Sequence, residues 1–421
     1  MKMEFSTYLT AEWRASLGCT EPAAIAYAAA MAASYQRGQL QTVRLVCDAR
    51  TYKNCYSVGI PNAESRTGIL WTLAIGGNLA DHSLGLRCFE MISAGVLQAA
   101  GNLMARGGIQ VEVDPARTTL FIDVTVVCEG GIGRAVVERE HTNLTRLESN
   151  DKQVPIQPPE RMTSNTGSIR ALIAGLTIQE TMELARSLTA EDRMALREGV
   201  SCNTDVARDA MSLVPEIFVH TQMRDGQGRA ELYVNAGVTA RMTGVSRMVM
   251  TLAGSGNKGI TVSIPVWLWG RESGYPEDRI DEALAFTFLI TSATTHHLGT
   301  LSAACGSAIA AGAGIAAGLV MLNGGGAHEA GLAVSNVVGT LAGMICDGAK
   351  VGCAMKTATG VEAAFRATKY AMSGQGIPVT NGIVGRDGET SLIYLGLVVS
   401  RGMANMDAEI LDIMQKKLRE T

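Results

Sequence analysis

Twenty-five residues, Leu298 to Leu322, run without a formal charge, long enough either to span a bilayer or to form helices buried on every side. Composition separates the two. The run is mostly Ala, Gly and Ser with few large apolar side chains, and His296, His297 and His328 bracket it where a membrane span would carry lysine or arginine anchors. The expectation is a buried helix or helix pair packed closely through small residues.

At 421 residues the chain has room for about two or three domains, each with its own core. Its formal net charge of −4, from 36 basic and 40 acidic residues, is dispersed with no polybasic run to neutralise phosphates, so nucleic acid is not an expected partner. Met1 to Thr10 holds one lysine, one glutamate and no apolar core of a secretory signal, and the expected compartment is the cytoplasm. Nine cysteines, an odd number, stand in a chain too large to need disulfide staples, so most should be reduced and inert.

Thr20 is a plausible cap for a helix with Glu21 and Pro22 in its first turn and an Ala-rich run through Ala33. From Val43 to Asn62, β-branched and aromatic residues surround Lys53 and Asn54 and predict a strand and turn. Alternation at Ile109, Val111, Val113, then Leu120, Ile122, Val124, predicts an antiparallel sheet of about three or four strands. Pro155, Pro158 and Pro159 mark a boundary. The fold class is therefore α+β: a mixed α/β portion with antiparallel sheet over 1–155, and a large Gly/Ala-rich helical portion over 160–421. In the second, Ile169, Leu172, Ile173, Leu176, Met182 and Leu184 keep helical spacing, and Thr189 with Asp192 forms a capping-box pattern. A last helix runs from about Asp407 with Ile410, Ile413, Met414 and Leu418 inward.

Two cysteines, Cys346 and Cys353, enclose Gly348 and Gly352. On an unbroken helix they would lie roughly 10 Å apart along the axis, a poor spacing for one compact metal site. The glycines would let the chain leave the helix and fold back, pointing thiolates and backbone N–H groups at one place. Cys305 lies in a similar small-residue context. All three could equally be buried fillers; a structural zinc would want four protein ligands, and no fourth stands near in sequence.

These segments carry a family resemblance. Ala303, Cys305 and Gly306, the stretch Gly343-Met344-Ile345-Cys346-Asp347-Gly348, and Cys353-Ala354-Met355-Lys356 resemble the cluster-binding part of the iron–sulfur-dependent serine dehydratase alpha-chain superfamily, most closely its L-cysteine desulfidase branch. Leu17-Gly18-Cys19-Thr20-Glu21-Pro22, Ser164-Asn165-Thr166-Gly167 and Ser255-Gly256-Asn257-Lys258-Gly259-Ile260 extend it over nearly the whole chain. The serine dehydratases place their second and third cysteines in a longer Cys-Asp-Pro segment; the shorter Asp347-Gly348 version favours the desulfidase branch. The resemblance implies a [4Fe–4S] cluster held by Cys305, Cys346 and Cys353 with one iron open to substrate. Such an iron can act as a Lewis acid without redox work.

Elimination also needs a group to handle the Cα proton. Cys19, ahead of a helix start whose dipole favours thiolate, is the candidate base or acid, with Glu21 working against the thiolate; a turn residue or a further cluster ligand are its other readings. Ser255, Gly256, Asn257 and Lys258 lie in a stretch too glycine-rich for regular structure, which could nest a carboxylate or be a plain turn. Ser164, Asn165 and Thr166 could add hydroxyl and N–H donors or simply cap a helix. Lys53 and Asn54 read as a surface face or a carboxylate clamp. Adjacent histidines on a helix point about 100° apart, so His296 and His297 stay unassigned.

The expected function is a lyase eliminating sulfide and ammonia from L-cysteine to give pyruvate. L-serine on the same cluster is the alternative, and a non-catalytic iron–sulfur sensor is a different class. A small amino acid is the expected partner, with no membrane, and the Ala/Gly-rich helices could pack at a homodimer interface as well as in a core.

Overall fold

The computed structural model describes residues 3–79, 81–156 and 166–420. It is an α+β protein. The strands are β1 (Arg14–Leu17), β2 (Leu40–Cys47), β3 (Ile109–Val113), β4 (Phe121–Cys128), β5 (Gly131–Glu138), β6 (Leu144–Ser149), β7 (Lys152–Gln153) and β8 (Met248–Thr251).

Six of them form one sheet in the order β3-β2-β4-β5-β6-β7. All its pairings are antiparallel except β2 with β3, which run parallel. The sheet is thus larger than predicted and mixed. Between β2 and β3 the chain passes through the helices Gly68–Leu79 and Ala94–Ala105, the crossover length that a parallel neighbour needs. The Ala-rich helix Thr20–Ser34 packs on β4 and β5 of this sheet, and the helix Gly68–Leu79 packs beside it against Leu40 and Val43 of β2. A Cβ on Gly133 would sit 2.0 Å from Ala32 O, and one on Gly76 would sit 2.6 Å from Ala26 Cα. Alanine and glycine let the layers approach this closely, and bulkier residues would force them apart.

The stretch predicted as a strand around Lys53 and Asn54 is instead β2 followed by the helix Ala49–Cys55, capped by Asp48, whose carboxylate accepts from Arg50 N and Thr51 N. That cap outweighs the β-propensity of Thr51 and Tyr52.

The helical body is built on close contacts of the same kind. The charge-free run is not one span: the helix Glu277–Leu298 ends at Gly299, and a second helix runs from Gly306 to Leu322. They pack through glycine. A Cβ on Gly318 would meet Thr287 Oγ1 at 1.9 Å, and one on Gly314 would meet Thr291 Oγ1 at 2.1 Å. The buried threonines donate to their own helix, Thr287 to Ala283 O and Thr291 to Thr287 O, both at 2.8 Å, so neither hydroxyl is stranded. Among the described residues no helix is long and apolar enough to cross a membrane.

The capping box at Thr189 and Asp192 is present. One inward assignment is corrected: Ile413 is 51% exposed, while Leu411 joins Ile410 and Met414 inside, and Leu172, which keeps the helical spacing, is 61% exposed. One residue of helical phase separates Ile413 from that inner face. Leu418's side chain lies outside the described residues.

Both chain ends cross between the two parts. Phe5, Tyr8, Leu9 and Trp13 pack into the helical core, and β1 pairs antiparallel with β8. The last helix, Met406–Glu420, lies on the helix Ala49–Cys55, with Ile410, Leu411 and Met414 against Ala49, Tyr52 and Tyr56.

Candidate active site

The three cysteines come together at the tops of two helices. Cys305 is the N-cap of Gly306–Leu322, and Cys353 opens the helix Cys353–Met372. An antiparallel bridge joins Ala304 to Ile345, with Cys305 N donating to Met344 O at 2.8 Å and Cys346 N to Ala303 O at 2.7 Å. The chain then turns at Gly348, where φ is +103° and a Cβ would stand 2.2 Å from Lys53 O. Only glycine meets both demands. Cys353 Sγ donates back to Gly348 O at 3.5 Å, and Lys356 ties the loop by bonding Ile345 O and Asp347.

Burial, reinforced by Cys346 and Cys353 beside it, pushes the Cys305 thiol up to about 12. Burial likewise raises Cys353, and Cys346 adds to it. The three sulfurs are therefore electrostatic neighbours. No set of three or more His, Cys, Asp or Glu side chains among the described residues closes on a single metal ion.

Lys53 lies beneath this loop. Its buried ammonium donates to Cys346 O at 2.5 Å and pairs with Asp407 of the last helix. The surface reading of Lys53 and Asn54 is corrected: both are buried, because one points at the cysteine loop and the other into a second polar cluster. Asn54 Nδ2 donates to Glu21 Oε1 at 3.1 Å.

Glu21 is the centre of that second cluster. Its Oε2 accepts from Cys19 Sγ at 3.1 Å and from Thr20 Oγ1 at 3.0 Å, and His141 Nε2 stands 3.9 Å from Oε1. Burial works to raise the Glu21 carboxyl, but His141, the Cys19 thiol and Arg241 outweigh it and hold it at about 2. Cys19 is the N-cap of Thr20–Ser34, one residue before the predicted cap, and makes no side-chain cap bond. The helix dipole does not prevail at this thiol: burial and then Glu21 push it well up. Cys19 holds its proton in the resting site.

The glycine-rich stretch is mostly helix. Ser255 caps Gly256–Glu272 by accepting from Lys258 N, and only Ala253 and Gly254, with φ of +47° and +75°, form the turn before it. Glycine serves close approach here: a Cβ on Gly259 would lie 1.9 Å from Met250 O. Asn257 Oδ1 accepts from Arg241 Nη1 at 2.8 Å. Lys258 Nζ donates to Ala253 O at 2.8 Å and Thr295 Oγ1 at 3.2 Å. Burial, followed by Arg170, lowers the Lys258 ammonium to about 7. Ser164 and Asn165 lie outside the described residues; Thr166 begins the helix Thr166–Ala174, and its side chain is not among those described.

Arg170 completes the wall, paired with Glu12 at 2.9 Å and donating to Thr300 Oγ1 at 2.9 Å. Sequence reasoning passed over Glu12, His141, Arg170, Arg241 and Asp407. A single charge in an apolar stretch, as Arg241 is between Ala240 and Met242 or Glu12 between Ala11 and Trp13, was the available signal. The two clusters adjoin along Thr300–Cys305 and through consecutive Lys53 and Asn54. The arrangement combines three thiols, a protonated thiol held by an ionised carboxylate, and an amine that changes charge near neutrality.

The family model of the serine dehydratase alpha chain matches residues 132–412. A UPF0597 protein of Geobacter sulfurreducens is 33% identical over 411 residues, covering 96% of each chain. A UPF0597 protein of Caldanaerobacter subterraneus is 32% identical over 406 residues, again 96% of each. A third, from Desulforapulum autotrophicum, is 31% identical over 435 residues, covering 99% of this chain and 98% of its own. Matched over most of its length by the one and nearly all of it by the others, this chain belongs to the serine dehydratase alpha chain family.

Proposed function

We propose that this protein is an amino-acid lyase that removes the β-substituent and ammonia from L-cysteine to yield pyruvate, with Cys305, Cys346 and Cys353 holding a [4Fe–4S] cluster. The observation that carries the reading is the gathering of three thiols, Cys305 and Cys353 at helix N-termini and Cys346 on the loop between them, beside a buried acid–base cluster. A multi-iron cluster can be held by thiols presented from separate segments, as Cys305, Cys346 and Cys353 are across the Ala304–Ile345 bridge and the turn at Gly348. The helix N-termini favour the negative charge of thiolates and sulfides. When bound, the cluster supplies a Lewis-acidic iron with an open coordination position.

The protein groups divide the proton work. Neutral Lys258 Nζ accepts the Cα proton, since its lowered pKa leaves much of it uncharged at physiological pH. The Cys19 thiol, kept protonated by burial and Glu21, donates to the departing sulfur as the C–S bond breaks. Glu21 and Asn54 fix Cys19 through the bonds at 3.1 Å. Nitrogen leaves as ammonia when the released aminoacrylate hydrolyses. L-serine is the second substrate reading, and the family's name favours it.

Protein prepared without oxygen should contain iron and acid-labile sulfide, and turn over L-cysteine in preference to L-serine. Cys305→Ala, Cys346→Ala and Cys353→Ala should each lose iron, while Cys19→Ala keeps it and loses turnover. Iron-free protein with full activity, or iron-loaded protein that turns over neither amino acid, overturns the proposal.

A further inference from the structure

Two buried nitrogens in this region make no hydrogen bond among the described residues: Arg241 Nη2, and His141 Nε2, which stands 3.9 Å from Glu21 Oε1. Their residues are only 4% and 5% exposed. A buried guanidinium with an idle nitrogen is costly, and such groups are otherwise paired. The rest of Arg241 is firmly placed, Nε donating to Gly18 O at 3.1 Å and Nη1 to Asn257 Oδ1 at 2.8 Å. Its idle nitrogen is therefore held ready rather than loose.

Both side chains flank one turn. A Cβ on Gly256 would lie 2.3 Å from Arg241 Nε, and one on Gly254 would lie 3.7 Å from His141 Cε1. Gly256 is the first residue of a seventeen-residue helix, and its N–H and that of Asn257 have no backbone acceptor among the described residues. First-turn N–H groups of this kind attract anions.

We propose that Arg241 binds the α-carboxylate of the substrate, through Nη2 together with the first-turn N–H groups of Gly256 and Asn257, with His141 closing the far side of Gly254. The ligand class is a zwitterionic α-amino acid. Ionised Glu21, beside both Arg241 and His141, disfavours a multiply charged anion such as a phosphate and suits the substrate's ammonium. Arg241 offers the carboxylate directional donors that a point charge such as Lys258 lacks. The assignment rests on the lyase reading for its choice of substrate, though the anchor can be measured without turnover.

The test compares binding of L-serine with that of L-serinamide, which lacks the carboxylate, by calorimetry on anaerobically prepared full-length protein, alongside KM and kcat for L-cysteine. Arg241→Gln should weaken L-serine and raise KM by about a hundredfold, the loss of a charge-assisted pair, with L-serinamide binding and iron content unchanged. Arg241→Lys should recover part of the loss and serves as the variant should Arg241→Gln fail to fold. Equal weakening of both ligands, unchanged L-serine affinity in the variants, or wild-type protein that binds both ligands equally, overturns the assignment. Wild-type protein that binds L-serine through Arg241 but turns over neither amino acid would overturn the lyase reading and leave the anchor standing.

Discussion

At the scale of single residues, Lys258 turns pH into a readout of its own charge. If its neutral amine accepts the Cα proton, kcat/KM climbs as pH rises through about 7 and levels off above. Lys258→Met should abolish that limb along with most turnover. Stability moves the same way. An unfolded lysine keeps its proton to about 10.4, whereas the folded one releases it near 7. Between those values the unfolded chain binds the extra proton, so folding strengthens with rising pH; below 7 both states are charged and the buried ammonium weighs fully on the fold. The difference between wild-type and Lys258→Met denaturation profiles isolates this rise. Glu21 works at the acid end: its depressed carboxyl adds stability above about 4.3 that drains as pH falls towards 2. Cys19 could be found from sequence because a helix start follows it directly. Its protonation state could not, since burial by residues distant in the chain outweighs the local dipole. Arg241 was hidden for a similar reason: its partners Gly18 and Asn257 lie on two other segments, and idle nitrogens exist only in three dimensions.

Between elements, contact distances decide. Gly259 lets the helix Gly256–Glu272 lie directly on the carbonyl of Met250 in β8, and a methyl there must push one element away. Gly259→Ala should cost about 3 kcal/mol, at the upper end for overpacking, and displace the turn at Gly254; urea denaturation with L-serine binding would show both. The last helix depends on Asp407, which takes Lys53 and also Arg50 at 2.7 Å. Asp407→Ala strands the buried Lys53 ammonium and should destabilise the protein by about 3–5 kcal/mol. Because the same ammonium holds Cys346 O, iron retention in that variant should fall as well, though no cysteine is touched. The capping box at Thr189 was legible because its whole logic spans four residues. The parallel pairing of β3 was not, since alternation reports a two-sided strand and is silent on direction. Lys53 misled for want of length: seven helical residues are too few to display a period.

For the molecule as a whole, the α+β class and the tight helical body followed from composition and alternation, but the exchange of ends did not, because nothing local marks Arg14–Leu17 as partner to Met248–Thr251. Trp13 packs against Phe288 with ring centroids 4.7 Å apart and the rings tilted by 45°, and Gly199 leaves room for its indole. Trp13→Ala should therefore lower stability by about 3–5 kcal/mol and weaken the helical body, with the shift read by hydrogen exchange at Phe288 and Val200 rather than in β4 or β5. The pairing of β1 with β8 also has a bearing on how the chain is made. A ribosome delivers the first strand long before the segment that will receive it, so the opening residues must wait, their backbone unpaired and Phe5, Tyr8 and Trp13 without a home. Contacts of such long range slow folding, and this edge is where a nascent chain would first call on a chaperone.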